Sequence, residues 1–228
     1  MCFLLERANL DPNLADKAGR TLLLLAVEKW RQEAVQLLLE RADVDPNLAD
    51  KDGRTPLLLA AKEGNQRTVQ YFLKRADVDP NFADKDGRTP ILLAAVHWDC
   101  WIVQLLLERA DLDPNSADKD GRTLLSLAAA QGQQRAVHLL LQRADVDPNL
   151  ADKDGRTPLL LAVAHGNQTA VHYLLKRDDV DSSISDNRGL TSLKWATQQG
   201  HYKIVLRLLV YRSRTILETT WQPARHLP

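Results

Sequence analysis

The stretch Asp50-Lys51-Asp52-Gly53-Arg54-Thr55-Pro56-Leu57-Leu58-Leu59-Ala60-Ala61-Lys62-Glu63-Gly64 decides the fold of this chain. It is followed by Asn65 to Arg75 and then by Ala76-Asp77-Val78-Asp79-Pro80-Asn81. Thr55 before Pro56 is a helix-start signal, because a Thr side chain caps the first turn and proline suits the first helical position. The apolar run Leu57–Ala61 continues that helix, and Gly64 is suited to the left-handed residue that ends it. A second helix is expected from Gln66 to Lys74, with Val69, Phe72 and Leu73 as its apolar face. The segment rich in Asp, Asn, Pro and Gly between units reads as a turn or extended finger.

This unit recurs along nearly the whole chain. Glycines at 19, 53, 87, 121, 155 and 189 are 34 residues apart, and those at 64, 132, 166 and 200 lie 11 residues after members of that set. Pro12, Pro46, Pro80, Pro114 and Pro148 share a phase, as do Pro56, Pro90 and Pro158. Self-similarity at this period marks a solenoid. Neither short helix can bury its apolar face alone, so stacking must supply the core. The expected fold class is all-α.

The units resemble ankyrin repeats. The Thr-Pro-Leu-x-x-Ala pattern stands at Thr55–Ala60, Thr89–Ala94 and Thr157–Ala162, and the Asp-x-x-Gly-x-Thr lead-in matches as well. Tetratricopeptide repeats share the period but not this loop. The Asp-Val-Asp-Pro-Asn loop is similar to ankyrin arrays of filamentous fungi. The resemblance implies stacked helix-turn-helix units with β-finger loops: a partial repeat or cap over 1–15, six repeats over 16–212 and a non-repeat tail over 213–228. Where the family has His after Thr-Pro-Leu, this chain has Leu24, Leu58, Leu92, Ser126, Leu160 and Lys194. The loop stack is therefore expected to lean on packing.

Composition narrows the function classes. The 228 residues are 44% hydrophobic, and 30 basic side chains balance 30 acidic ones. A nucleic-acid backbone binder would need a basic excess, so no nucleic-acid partner is expected. The apolar runs reach six residues, as at Leu22–Val27, against the roughly 20 a membrane span needs, so no membrane partner is expected. Cys2 and Cys100 form no disulfide framework, which suits an intracellular setting, cytoplasmic or nuclear. Met1–Arg7 shows no signal peptide.

Both ends depart from the repeat. Phe3–Arg7 aligns with Leu37–Arg41, so the chain starts in mid-unit, as a makeshift cap or as a structural fragment of a larger ankyrin-containing protein. In the last unit Leu206 replaces Gln36, Gln70, Gln104, His138 and His172, and Val210 replaces Glu40, Lys74, Glu108, Gln142 and Lys176. Four residues apart, Leu206 and Val210 share a helix face. The tail, with Ile216, Leu217 and Trp221, is expected to fold back over this terminal patch. A bound protein is the alternative.

Motifs for chemistry are sparse. Asp43-Val44-Asp45-Pro46-Asn47 has the start of a calcium loop, but Leu48 and Arg54 stand where Gly and the bidentate Glu belong. An Asx-type turn is the favoured reading. The histidines do not converge with ligand spacing, so no metal site and no cofactor is expected. Ser126 has no base at suitable spacing, and Cys100 near His97 is better read as packed, so no catalytic residue is assigned. Lys17, Lys51, Lys85, Lys119 and Lys153 and the arginines at 20, 54, 88, 122 and 156 alternate with aspartates, which reads as a solvated, ion-paired edge. Trp195 occupies a Leu phase and reads as core.

The positions that break the repeat carry the functional expectation. The first-helix ends vary: Lys62 and Glu63, Val96 and His97, Ala130 and Gln131, Ala164 and His165, Gln198 and Gln199. Trp30 and Trp98 replace glycine, and Trp101 follows. The resemblance implies that partners meet such helix ends on the concave face. The expected role is a non-catalytic protein-binding scaffold, centred on Val96, His97, Trp98, Trp101, Ala130, Gln131, Ala164 and His165 with a polar rim of Lys62 and Glu63. A small-molecule site or an unusual enzyme around His97 and Trp98 is the second reading. Self-association is compatible with the near-zero charge.

Overall fold

In the computed structural model of the chain, residues 11–96 and 100–220 are described, with side chains for all of these but Val96 and residues 214–220. They form two compact units, residues 1–119 and 120–228. Each contains three helix pairs among the described residues. Unit 1 has α1 (Leu22–Glu28), α2 (Gln32–Leu39), α3 (Pro56–Lys62), α4 (Gln66–Leu73), α5 (Pro90–Val96) and α6 (Cys100–Leu107). Unit 2 has α7 (Leu124–Gln131), α8 (Gln134–Leu141), α9 (Pro158–Ala164), α10 (Gln168–Leu174), α11 (Ser192–Gln198) and α12 (Tyr202–Thr220).

The helices start where the sequence places them. The hydroxyls of Thr21, Thr55, Thr123 and Thr157 accept from the backbone N–H three residues on, and Pro56 and Pro158 occupy the first turns. Within each unit the helices form two layers. The first helices pack on one another (α1 on α3 on α5; α7 on α9 on α11), and the second helices do likewise (α2 on α4 on α6; α8 on α10 on α12). A first helix meets its neighbours and its own second helix. In α3 every residue from Pro56 to Ala61 is therefore buried, which explains an apolar run with no amphipathic alternation. The second helices bury a stripe, such as Val69 and Phe72 in α4 or Val137 and Leu140 in α8, and leave the opposite side wet.

The fingers are turns rather than strands; an isolated bridge joins Ser185 and Thr191. They stack through the main chain. Within unit 1, Lys51 N donates to Ala18 O (3.0 Å), Lys85 N to Asp52 O (3.2 Å) and Lys119 N to Asp86 O (2.8 Å). Within unit 2, Lys153 N donates to Asp120 O and Asn187 N to Asp154 O, both at 2.9 Å.

Three expectations need correction. First, the loop stack leans on hydrogen bonds as well as packing. Leu24, Leu58, Leu92 and Leu160 are indeed buried, but the fingers also close around an aspartate, exposed at Asp16 and buried at Asp50, Asp84, Asp152 and Asp186. Asp50 Oδ1 accepts from the N–H groups of Asp52 and Arg54 at 2.9 Å each, while its Oδ2 meets Arg54 Nη2 at 2.6 Å. Asp84 and Asp152 repeat this geometry. The acidic edge is thus only partly solvated.

Second, Trp195 is half-buried rather than core. Its Nε1 donates to Asp186 Oδ2 at 2.9 Å, and the Arg188 guanidinium lies 4.8 Å from the ring centroid. The cause is local: Leu190 stands where the other fingers have arginine, so the indole supplies the missing donor. Third, residues 213–220 do not turn back over Leu206 and Val210, because α12 continues unbroken to Thr220. Met1–Leu10, His97, Trp98 and Trp221 lie outside the described residues.

Candidate functional site: the first-helix ends and their loop scaffold

The expected binding residues fall on corresponding places in the two units. Lys62 ends α3, and Glu63 caps it; both are exposed. Val96 ends α5, and Trp101 sits in the first turn of α6 with its side chain 37% exposed. In unit 2, Gln131 ends α7 and is exposed, with Ala130 half-buried beside it. Ala164 ends α9, and His165 caps it.

Unit 2 brings these two pairs side by side through the packing of α7 on α9. Asn167 fixes the approach: its Nδ2 donates to Ala129 O (2.9 Å) and Ala130 O (2.8 Å), the last carbonyls of the neighbouring helix. Helix C-terminal carbonyls lack intrahelical donors, so a side-chain amide from the next repeat fills that need. His165 is held from its own helix. Its Nδ1 lies 2.9 Å from Leu161 O, a pure acceptor, so Nδ1 donates this bond and fixes the ring against its own helix.

Asn167 was not singled out by sequence reasoning. Its phase holds Asn65, Gln133 and His201 elsewhere, so no constant residue type announces the role. Trp30 was noted only as a glycine replacement. It has φ +55°, the left-handed region that glycine occupies at this place in other repeats, and it is 52% exposed. A strained, exposed tryptophan at a first-helix end belongs with the candidate surface.

The loops that looked like cation sites are occupied with one another. Arg41 clamps Asp43 through two contacts of 2.9 and 2.7 Å. Asp45 Oδ1 accepts from Asn47 N at 2.9 Å, the Asx turn expected. Asn47 then reaches the next repeat: its Nδ2 donates to Asp77 O (2.6 Å), and its Oδ1 accepts from Asp79 N (2.9 Å). Asn13, Asn81 and Asn149 make the same paired bonds. The arginines add a second clasp, with Arg75 donating to Leu39 O, Arg41 O and Val44 O at 3.1 Å.

The Arg75 guanidinium bonded to Asp77 holds that carboxyl below its usual range, against the opposing effect of desolvation. Asp111, Asp145 and Asp179 are held low in the same way by Arg109, Arg143 and Arg177. Among the described residues no group of three or more His, Cys, Asp or Glu is placed to hold a metal ion. Ser126 is buried, and its Oγ donates to Thr123 O at 2.9 Å. Cys100 is exposed. A cavity of about 300 Å³ in unit 2 is lined by Gly132, Gln134, Gly166 and residues 167–170, and His165 is not part of it.

Sequence comparison matches this architecture. The family described as ankyrin repeats (3 copies) matches residues 1–81, 72–152 and 125–217, nearly the whole chain. The chain belongs to the ankyrin repeat family. Among solved structures, the ankyrin repeat protein EF0377 is 28% identical, with 86% of this chain and 98% of that one covered and a TM-score of 0.74. An ankyrin repeat domain from Acinetobacter baumannii is 27% identical over 83% of this chain and 96% of that one, at TM-score 0.75. The ankyrin repeat domain of Bcl-3, a member of the IkappaB family, is 26% identical over 89% of each chain, at TM-score 0.76. No curated protein matches the chain. Ankyrin repeats are in general modules for protein–protein interaction. No helix among the described residues is long and apolar enough to cross a membrane.

Proposed function

We propose that this ankyrin chain is a non-catalytic scaffold that binds a protein partner on the concave face, through the first-helix ends. The contact set is Val96, His97, Trp98, Trp101, Ala130, Gln131, Ala164 and His165, with Lys62 and Glu63 setting orientation at the rim. One observation carries the reading. The finger aspartates close their own loops and the loop asparagines and arginines clasp neighbouring repeats, whereas Lys62, Glu63, Gln131 and His165 are exposed at a place where the repeats differ. Varied side chains on a fixed frame supply recognition, and aromatic residues supply binding energy. An intracellular setting accords with two cysteines in 228 residues.

The test is affinity purification from source cells with the wild-type chain and with a His97→Ala/Trp98→Ala variant, alongside thermal melts of both. A protein retained by the wild type and lost by a variant of unchanged melting temperature supports the reading. Equal retention sinks it, and a melting temperature lowered by about 10 °C assigns Trp98 to packing instead.

A further inference from the structure

The outer side of α12 differs from every other second helix in unit 2. Tyr202, Leu206, Leu209 and Val210 are 78, 65, 48 and 69% exposed, and they are the large apolar residues that unit 2 leaves exposed among its described residues. Their spacing, i, i+4, i+7 and i+8, makes one continuous stripe. It lies opposite Ile204 and Leu208, which are buried against the stack. Three of the four positions are polar at the same phase in the preceding repeat, where Gln168, His172 and Lys176 stand for Tyr202, Leu206 and Val210. The change is thus specific to this helix.

The flanks of the stripe are cationic. Lys203 and Arg207 border one edge and Arg212 the other; all three are exposed. Residues 202–213 contain no carboxylate, in a chain whose charges balance as a whole. The field is felt nearby: burial, then Arg207 and Lys176, lower the pKa of His172 on α10. Arg207 also stands at the phase of Leu139 and Tyr173, and Tyr173 packs its ring 4.9 Å from His138 of the preceding repeat. The place that normally meets a neighbouring repeat has become charged, while the outward place has become apolar.

We propose that this face of α12 docks an acidic amphipathic helix of a partner protein, at a surface separate from the first-helix ends. Leucine-type side chains of the partner cover Tyr202, Leu206, Leu209 and Val210, and carboxylates on both edges meet Lys203, Arg207 and Arg212. Helix-in-groove recognition uses this i, i+4, i+7 spacing, and charge complementarity fixes the orientation. A second copy of the chain would set the same three cations against their own images with no carboxylate between them. The chain's residues 221–228 contribute Arg225 and His226 and no acid, which is the wrong sign for a cover.

The test uses the full chain and a synthetic peptide of about 20 residues with a leucine stripe flanked by glutamates. Controls are its scrambled form, a lysine-for-glutamate form, and phosphatidylcholine vesicles with and without phosphatidylserine. The acidic peptide should bind at least about tenfold more tightly than either control peptide, and more weakly as salt rises. Leu206→Asp/Val210→Asp should abolish binding with an unchanged melting temperature, because both side chains are exposed. Lys203→Glu/Arg207→Glu should reverse the preference toward the lysine peptide. His97→Ala/Trp98→Ala should leave binding intact, which separates this surface from the one proposed above.

Four results would overturn the proposal: equal binding of scrambled and acidic peptides; binding to phosphatidylserine vesicles with no peptide preference; a dimer in sedimentation equilibrium that Leu206→Asp dissolves; or about tenfold stronger peptide binding after deletion of 221–228.

Discussion

Gly155 has φ +76°, and a Cβ placed there would lie 2.6 Å from Asn187 Oδ1 and 3.0 Å from Asn187 N in the next finger. Gly189, at the same phase one repeat on, has φ +74° but nothing within 4 Å. Alanine at Gly189 meets only backbone strain and should cost about 1 kcal/mol. Alanine at Gly155 adds a collision with a neighbouring main chain and should cost about 3 kcal/mol. Urea unfolding of both variants checks this; equal losses would mean that the fingers yield freely. The spacing of glycines was legible in the sequence, but which glycine faces a neighbour was not. Trp30 shows the limit at the other glycine phase, since its φ of +55° breaks the rule that only glycine fills the turn between paired helices.

Asp50 gives the residue scale a pH dependence. Burial raises its pKa, but the Arg54 side chain and the N–H groups of Arg54 and Asp52 outweigh this and hold it below the usual carboxylate value. A folded-state pKa below the unfolded value of about 3.9 means stability present above that pH and lost as pH falls through the folded pKa. Asp50→Asn should therefore lower stability at neutral pH and flatten its decline below pH of about 4. A decline as steep as the wild type's would assign acid unfolding to other carboxylates.

At the scale of elements, the Asp-Val-Asp-Pro-Asn loop shows what one unit of sequence hides. The Asx turn inside it was legible, because both partners lie two residues apart. The asparagine ladder was not, because Asn47 bonds to residues 30 and 32 positions away. The period itself held the clue: an asparagine constant at one phase has a partner constant at the same interval. Asn47→Ala removes two bonds on an exposed loop and should cost about 1–2 kcal/mol. Asn47→Asp keeps the acceptor for Asp79 N but sets a carboxylate against Asp77 O. Its deficit should grow as pH rises through the carboxylate range, whereas that of alanine should stay flat. Parallel pH profiles for the two variants would exclude the donor role of Nδ2. The extent of α12 was hidden in the sequence for a related reason. A tail that leaves the repeat pattern gives no periodic signal, yet its residues to Thr220 extend an existing helix.

For the whole molecule, 30 basic and 30 acidic side chains cancel, and the sequence pI is about 7.0. Zero net charge removes the long-range repulsion that keeps copies apart, but Lys203, Arg207 and Arg212 beside the exposed apolar residues of α12 oppose pairing of that face with itself. Static light scattering at low salt should therefore show no attraction that depends on this face, so the wild type and Leu206→Asp should scatter alike. Weaker attraction in Leu206→Asp than in the wild type would mean that the stripe pairs copies of the chain, and the docking of an acidic partner helix would fall with it.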